Sequence, residues 1–267
     1  MAQPLTPPPH SKVQLADFDA SHVAGDWTNQ TAKQEARENS EKINELAYRL
    51  YAENRRAVLL VLQGMDTSGK DGTIRHVLAG VNPQSFQITS FKQPTAEDLA
   101  HDFLWRIHKA APRRGQIGVF NRSHYEDVLV VRVRQLVPDQ VWRERYDRIN
   151  EFEQLLVEAG VAIVKCYLHI SKDEQRERLE ARLDNANKRW KFSLGDLAER
   201  KRWDDYQRAY EDALTKCNTK HAPWHIVPAN RNWNRNLVIS SLLRSTLETM
   251  DPQFPQPEAE LDGVQVE

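Results

Sequence analysis

Two hydrophobic patterns alternate along the chain. Nearly continuous apolar runs recur at 57–63, 86–91, 117–120, 161–168 and 225–227. A run without alternation suits a strand buried on both faces, as in a parallel sheet. Between these runs lie charged segments long enough for helices. Ile43, Leu46, Ala47, Leu50 and Tyr51, at three- and four-residue steps, predict an amphipathic helix over 41–55. Residues 172–183 and 197–217 read as charged helices flanking an irregular stretch over 184–195, and a last helix covers 232–250. Strands alternating with helices imply parallel crossovers, so the fold class is α/β, with five parallel strands in one sheet flanked by helices.

Outside this region the period is lost. Residues 1–40, rich in Pro, Gln, Asn and Asp, read as an extended arm, and 251–267, with three prolines, as a loose tail. That leaves one domain over 41–250. Of 267 residues, 40% are hydrophobic, enough for one sizeable core, and 37 Lys plus Arg oppose 38 Asp plus Glu. A net charge of -1 gives no global affinity for polyanions, so any such binding must come from local clustering. The apolar run 57–62 is far short of the ~18 residues of a membrane span, and the N-terminus lacks the basic start and apolar stretch of a secretory signal. Cys166 and Cys217 sit in unrelated contexts and read as buried or incidental thiols of a cytoplasmic protein, with neither a disulfide nor a zinc site.

The chemistry starts after the first strand. Gly64-Met65-Asp66-Thr67-Ser68-Gly69-Lys70-Asp71-Gly72 has the G-x-x-x-x-G-K spacing of a phosphate-binding loop, with strand before and helix after. Glycines let backbone N–H groups turn toward phosphate oxygens, while Lys70 and the helix N-terminus add positive potential. The hydroxyl that ordinarily follows the lysine is replaced by Asp71, which reads as a first-turn acid complementing the helix dipole. Asp66 lies inside the loop, where a carboxylate repels phosphate unless a cation lies between, so Asp66 is read as a metal ligand.

A second block, Asn121-Arg122-Ser123-His124-Tyr125-Glu126-Asp127, follows the third strand, where a nucleotide-binding sheet places groups near the phosphates. Ser123 and Glu126 have capping-box spacing, Asp127 reaches toward a Mg²⁺ position, and Arg122 stands where a cation neutralises a transferring phosphoryl group. Basic residues gather again between Arg176 and Arg208. Most of these read as a salt-bridged face, but Lys188, Arg189 and Lys191 have no acid between them and suit a mobile lid over about 184–208. Arg178 and Arg182, one helical turn apart, present two guanidiniums, and Lys92 and Arg113-Arg114 extend the track. Trp190 either stacks on a base or pins the lid to the core, the second being preferred.

Together with Lys188-Arg189-Trp190-Lys191-Phe192-Ser193, the two blocks resemble the three signatures of the polyphosphate kinase 2 family, over about 50–250 of the chain. The resemblance implies a P-loop kinase-like core with a helical lid, a homo-oligomer, and phosphoryl exchange between inorganic polyphosphate and nucleotides with Mg²⁺, or Mn²⁺ as a substitute. It implies that Asp66 and Asp127 hold metal, that Lys70 and Arg122 contact phosphates, and that lid basics hold the chain. Many members carry Asp where Asn121 stands, and Asn121 with Glu126 and Asp127 looks like the subgroup acting on AMP as well as ADP, with Glu126 toward the acceptor nucleotide. An amide is neither a base nor a full metal ligand, so a base at Asn121 is not expected.

The reading is reversible, direct in-line transfer from polyphosphate to ADP and AMP, with no phosphoenzyme, no nucleic acid and no membrane. Positioning and charge neutralisation suffice, because a phosphate acceptor is already anionic. The alternatives are an ATP-dependent nucleoside monophosphate kinase and a nucleotide-binding regulator without turnover.

Overall fold

The computed structural model describes residues 2–23 and 25–257. Strands β1 (Ala57–Gln63), β2 (Phe86–Ser90), β3 (Ile117–Asn121), β4 (Val161–His169) and β5 (Trp224–Pro228) form one sheet in the order β2-β3-β1-β4-β5. All pairings are parallel, with Val58 beside Ile117 on one side and Ala162 on the other. Every residue of β1 is buried, which is why its sequence carries no alternation.

In chain order the helices are α1 (Asn29–Glu53), α2 (Lys70–Val77), the short α3 (Ala96–Leu99), α4 (Trp105–Ala110) and α5 (Val130–Val133), and then α6 (Asp139–Glu158). After β4 come α7 (Lys172–Asp184), α8 (Leu194–Lys201) and α9 (Trp203–Lys216), and α10 (Asn232–Met250) closes the fold. Among the described residues no helix is long and apolar enough to cross a membrane.

α1 departs most from expectation, since it begins at Asn29, inside the stretch expected to be an extended arm. Thr28 caps it, accepting from the Thr31 backbone N–H while the Thr31 hydroxyl accepts from that of Thr28. Its first half buries only Ala32, Asn39 and Ser40. Asn39 donates to Ser240 and Ser241 of α10 at 3.0 and 3.2 Å, and Ser40 donates to the carbonyl of Val77 at 3.2 Å. A polar interface leaves no apolar stripe, so periodicity missed it. The residues before α1 do run over the surface, pairing antiparallel with β5 through Leu5 and Ile226.

The C-terminal segment packs back onto α1. The rings of Phe254 and Tyr48 meet edge to face at 5.8 Å, and Gln253 N–H donates to Glu53 at 3.3 Å. The rest of the expected loose tail, 258–267, lies outside the described residues. The helix expected over 197–217 is broken at Arg202, whose guanidinium donates to the carbonyl of Val133 at 2.7 Å.

Candidate active site

Parallel strands deliver their carboxyl ends to one edge, and both signature blocks leave the sheet there. The first enters the turn at Gly64, where a Cβ would meet the carbonyl of Leu168 at 2.7 Å, so no larger residue fits. At Gly69 φ is +100° and a Cβ would lie 1.8 Å from Nη1 of Arg235. Between them Thr67 takes φ 68°. Left-handed backbone at a non-glycine residue is a strained state of the kind that concentrates at functional sites.

The Lys70 ammonium is drawn under this loop. It donates to the carbonyl of Gly64 at 2.7 Å and of Met65 at 3.3 Å. Burial lowers its pKa to about 8, and the Arg122 guanidinium pushes in the same direction. Two groove-lining arginines brace the loop. Arg178 of α7 donates to the carbonyls of Thr67 (2.9 Å), Ala229 (2.7 Å) and Asn230 (3.0 Å) and pairs with Glu174. Arg235 of α10 donates to the carbonyl of Ser68 at 3.2 Å, and burial followed by the charge of Arg178 lowers its pKa to about 9. Arg178, expected to face phosphate, lines the groove beside the loop and also cross-links the loop through the carbonyls of Thr67, Ala229 and Asn230. Arg235 escaped sequence reading, because one arginine in Asn232-Trp233-Asn234-Arg235-Asn236 carries no motif, although its place just after β5 was a signal.

Arg122 leaves β3 with φ 63° and its backbone N–H on the carbonyl of Leu62. This backbone aims the side chain at the loop, where Nη2 lies 2.8 Å from Oδ1 of Asp66 and Nη1 3.5 Å from Glu126. The charge of Glu126 and then that of Asp66 outweigh burial and raise its pKa. Glu126 therefore faces Arg122 and does not cap a helix. Ser123 accepts from the N–H of Tyr125, two positions on, in a 3₁₀ turn over His124–Asp127. Tyr210 of α9 is buried, and burial followed by the charge of Glu126 raises its pKa well above the ordinary value.

Asp127 is arranged differently from expectation. Its Oδ1 is 3.0 Å from Arg145 and its Oδ2 3.8 Å from Arg106. Burial raises its pKa to about 6 against the pull of both arginines. Two guanidiniums thus flank this carboxylate, while its buried Oδ2 makes no hydrogen bond. Among the described residues no group of three or more His, Cys, Asp or Glu gathers as a cation site. Mg²⁺ needs no such cage, because it takes one or two carboxylates and completes its shell with waters and substrate phosphates. Asp66 fits that role. It is partly exposed at the mouth of the loop, with its backbone carbonyl fixed by Gln175 at 3.1 Å.

Asn121 donates to Oδ1 of Asp71 at 2.7 Å, and Lys191 of the lid lies 3.9 Å from Oδ2 of the same carboxylate. The lid is thereby drawn down onto the loop. Thr67, Gly69, Asp71, Arg182, Lys188 and Lys191 share one groove of about 990 Å³. Arg182 also ties the lid together through Asp196 at 3.4 Å. Arg189 donates to the carbonyl of Leu183 and lies outside the groove, as does Lys92. Arg113 and Arg114 precede β3, at the opposite edge of the sheet, and cannot extend the track. Trp190 is 77% exposed and pins nothing to the core.

A sequence profile for Polyphosphate kinase 2 (PPK2) matches residues 27–255. The AMP/ADP-polyphosphate phosphotransferase of Meiothermus ruber is 50% identical over 263 residues, 97% of each chain. The ADP-polyphosphate phosphotransferase of Rhodopseudomonas palustris is 48% identical over 228 residues, 81% of this chain and 79% of that one. The crystal structure of polyphosphate kinase 2 from Arthrobacter aurescens TC1 superposes with a TM-score of 0.91 at 40% identity, covering 98% of this chain and 97% of that one.

Proposed function

This chain belongs to the polyphosphate kinase 2 family, and from that premise we propose that it transfers a phosphoryl group directly from the end of inorganic polyphosphate to ADP and AMP. It is a polyphosphate-dependent nucleotide phosphotransferase with a P-loop kinase-like fold. The observation that carries the direct mechanism is the Asp66–Arg122 pair, which joins blocks 56 positions apart at 2.8 Å. Donor phosphates bound by the loop thus meet Arg122 at the point of transfer.

In this reading the loop amides and Lys70 orient the donor's last phosphates, Arg122 neutralises charge spreading over the transferring group, and Glu126 with Arg122 positions the acceptor. Asp66 is the side chain that would hold Mg²⁺ together with substrate oxygens. When bound, the ion supplies charge neutralisation and a fixed geometry for the phosphates. Asp127 orients Arg106 and Arg145 behind the second block. Asn121 fixes Asp71 and takes no proton. The reading includes a cytoplasmic location, supported by the free thiols of Cys166 and Cys217, and a homo-oligomeric state that light scattering on the purified protein checks.

Turnover with AMP as acceptor is to be measured with polyphosphate or ATP as sole donor. Polyphosphate is expected to support the faster reaction. Equal or greater activity with ATP would turn the assignment to a nucleoside monophosphate kinase.

A further inference from the structure

The groove that shares the phosphate loop does not end there. From Thr67 and Gly69 it continues along one face of α1, where Lys33, Arg37, Ser40 and Asn44 follow at helical steps, with Arg75 of α2 also lining it. At 1.5 Å per residue the α1 face from Lys33 to Asn44 is about 16 Å long. Asp66, Asn121, Arg122 and Glu126 do not line it, so this arm runs away from the point of transfer.

Its charge is out of proportion to a chain whose net charge is -1. Among the described residues the only acids lining the groove are Glu41 and Asp71. Lys33, Arg37 and Arg75 are exposed, and among the described residues none has an acid within salt-bridge distance. On the same helix Lys42 and Arg49, outside the groove, pair with Glu45. Unneutralised cations along a groove opening from a phosphate loop are a site for a linear polyanion.

We infer that Lys33, Arg37 and Arg75 form a distal subsite for the trailing phosphates of the donor, so that the enzyme prefers long polyphosphate to short. The inference rests on the polyphosphate reading above. Tripolyphosphate fills the loop without reaching α1, whereas a long chain extends along the groove and gains each cation there. The occupant is a bare phosphate chain and not a nucleic acid strand, because among the described residues Trp233 and His76 alone bring aromatic rings to the groove, too few for a series of stacked bases.

The test compares kcat/KM for long-chain polyphosphate and for tripolyphosphate, with ADP as acceptor, in the wild type and in the triple variant Lys33→Gln, Arg37→Gln, Arg75→Gln. The preference for the long chain is expected to fall about tenfold, as three weak ion contacts dictate. The salt dependence of long-chain binding, as log K against log salt, is expected to become shallower by about 2. Circular dichroism checks folding, and the single variant Lys33→Gln repeats the comparison if the triple variant is unstable. Equal losses with both donors, no loss with either, or displacement of the long chain from the wild type by single-stranded DNA at matched charge overturns the subsite. A wild type that uses ATP and not polyphosphate overturns the functional reading itself, a separate result.

Discussion

Lys70 carries an unusual burden for a cation, since it must be charged to hold phosphate yet is buried against carbonyls. Burial, with Arg122 nearby, lowers its pKa to about 8, whereas a free lysine stays protonated to about 10.4. The pH dependence of kcat/KM reports groups of the free enzyme, so it should fall as pH rises through about 8. The kcat limb should lie higher, because bound polyanion favours the ammonium. Stability moves the other way. Below pH 8 both folded and unfolded chains hold this proton, and between about 8 and 10.4 the folded chain sheds it first, so this group's contribution to stability rises with pH in that window. Loss of this proton therefore does not itself unfold the chain, and circular dichroism over the same pH range separates the limb from unfolding. Lys70→Arg should remove it, since a guanidinium does not titrate there, while lowering the rate at every pH. A limb that persists near 8 in that variant would assign it to another group.

At the scale of elements, the second block is held by a charge cluster in the core. Glu153 of α6 lies 2.6 Å from Lys165 of β4 and accepts from the Tyr125 hydroxyl at 2.8 Å, with Nε2 of His124 at 3.2 Å. All of these side chains are buried. Burial pushes the Glu153 carboxyl up, but the charge of Lys165 and the contact with His124 outweigh it and leave it below the ordinary range. Losing one partner strands the other, so Glu153→Gln should destabilise by about 3–5 kcal/mol in urea unfolding. Lys165→Met combined with Glu153→Leu should cost far less than the two single changes summed. Near-additive losses would mean that the pair is not coupled.

The same cluster shows why sequence reading reached the strands and stopped short of their supports. β1 and α10 stand where the sequence places them, because burial by Leu, Val and Ile writes itself into local pattern. The loop was legible because glycine spacing is a backbone requirement. Lys165 sits inside an apolar strand and Glu153 on a charged helix, and nothing local says that they meet. The early start of α1, Arg235 at the loop and the arginines around Asp127 are likewise contacts between distant segments. Their residues are ordinary by themselves, and their roles exist only in the folded chain.

Across the whole molecule, the phosphate loop stands between two differently built sides. Toward α1, α2 and the lid lies the cationic groove; toward β3 and α9 lie Arg122, Glu126 and Tyr210. In the proposed reading, a donor from one side and an acceptor from the other leave the phosphoryl group a single direct passage, with Lys70 and Arg122 beside it. The direct reading needs no relay through histidine, although His76 lines the groove. His124 is wholly buried against Glu153, and His76 lies six residues along α2 from Lys70, about 9 Å of helix rise, with Nδ1 2.6 Å from the carbonyl of Gly72. One in-line displacement inverts the configuration at phosphorus, whereas passage through a phosphoenzyme retains it. Transfer of a chiral thiophosphoryl group from ATP to polyphosphate, the reverse reaction, should therefore invert, and a rapid quench with labelled polyphosphate should leave no acid-labile label on the protein. Retention of configuration, or a labelled adduct formed as fast as turnover, would require a nucleophile within reach of both sides and would defeat the direct mechanism.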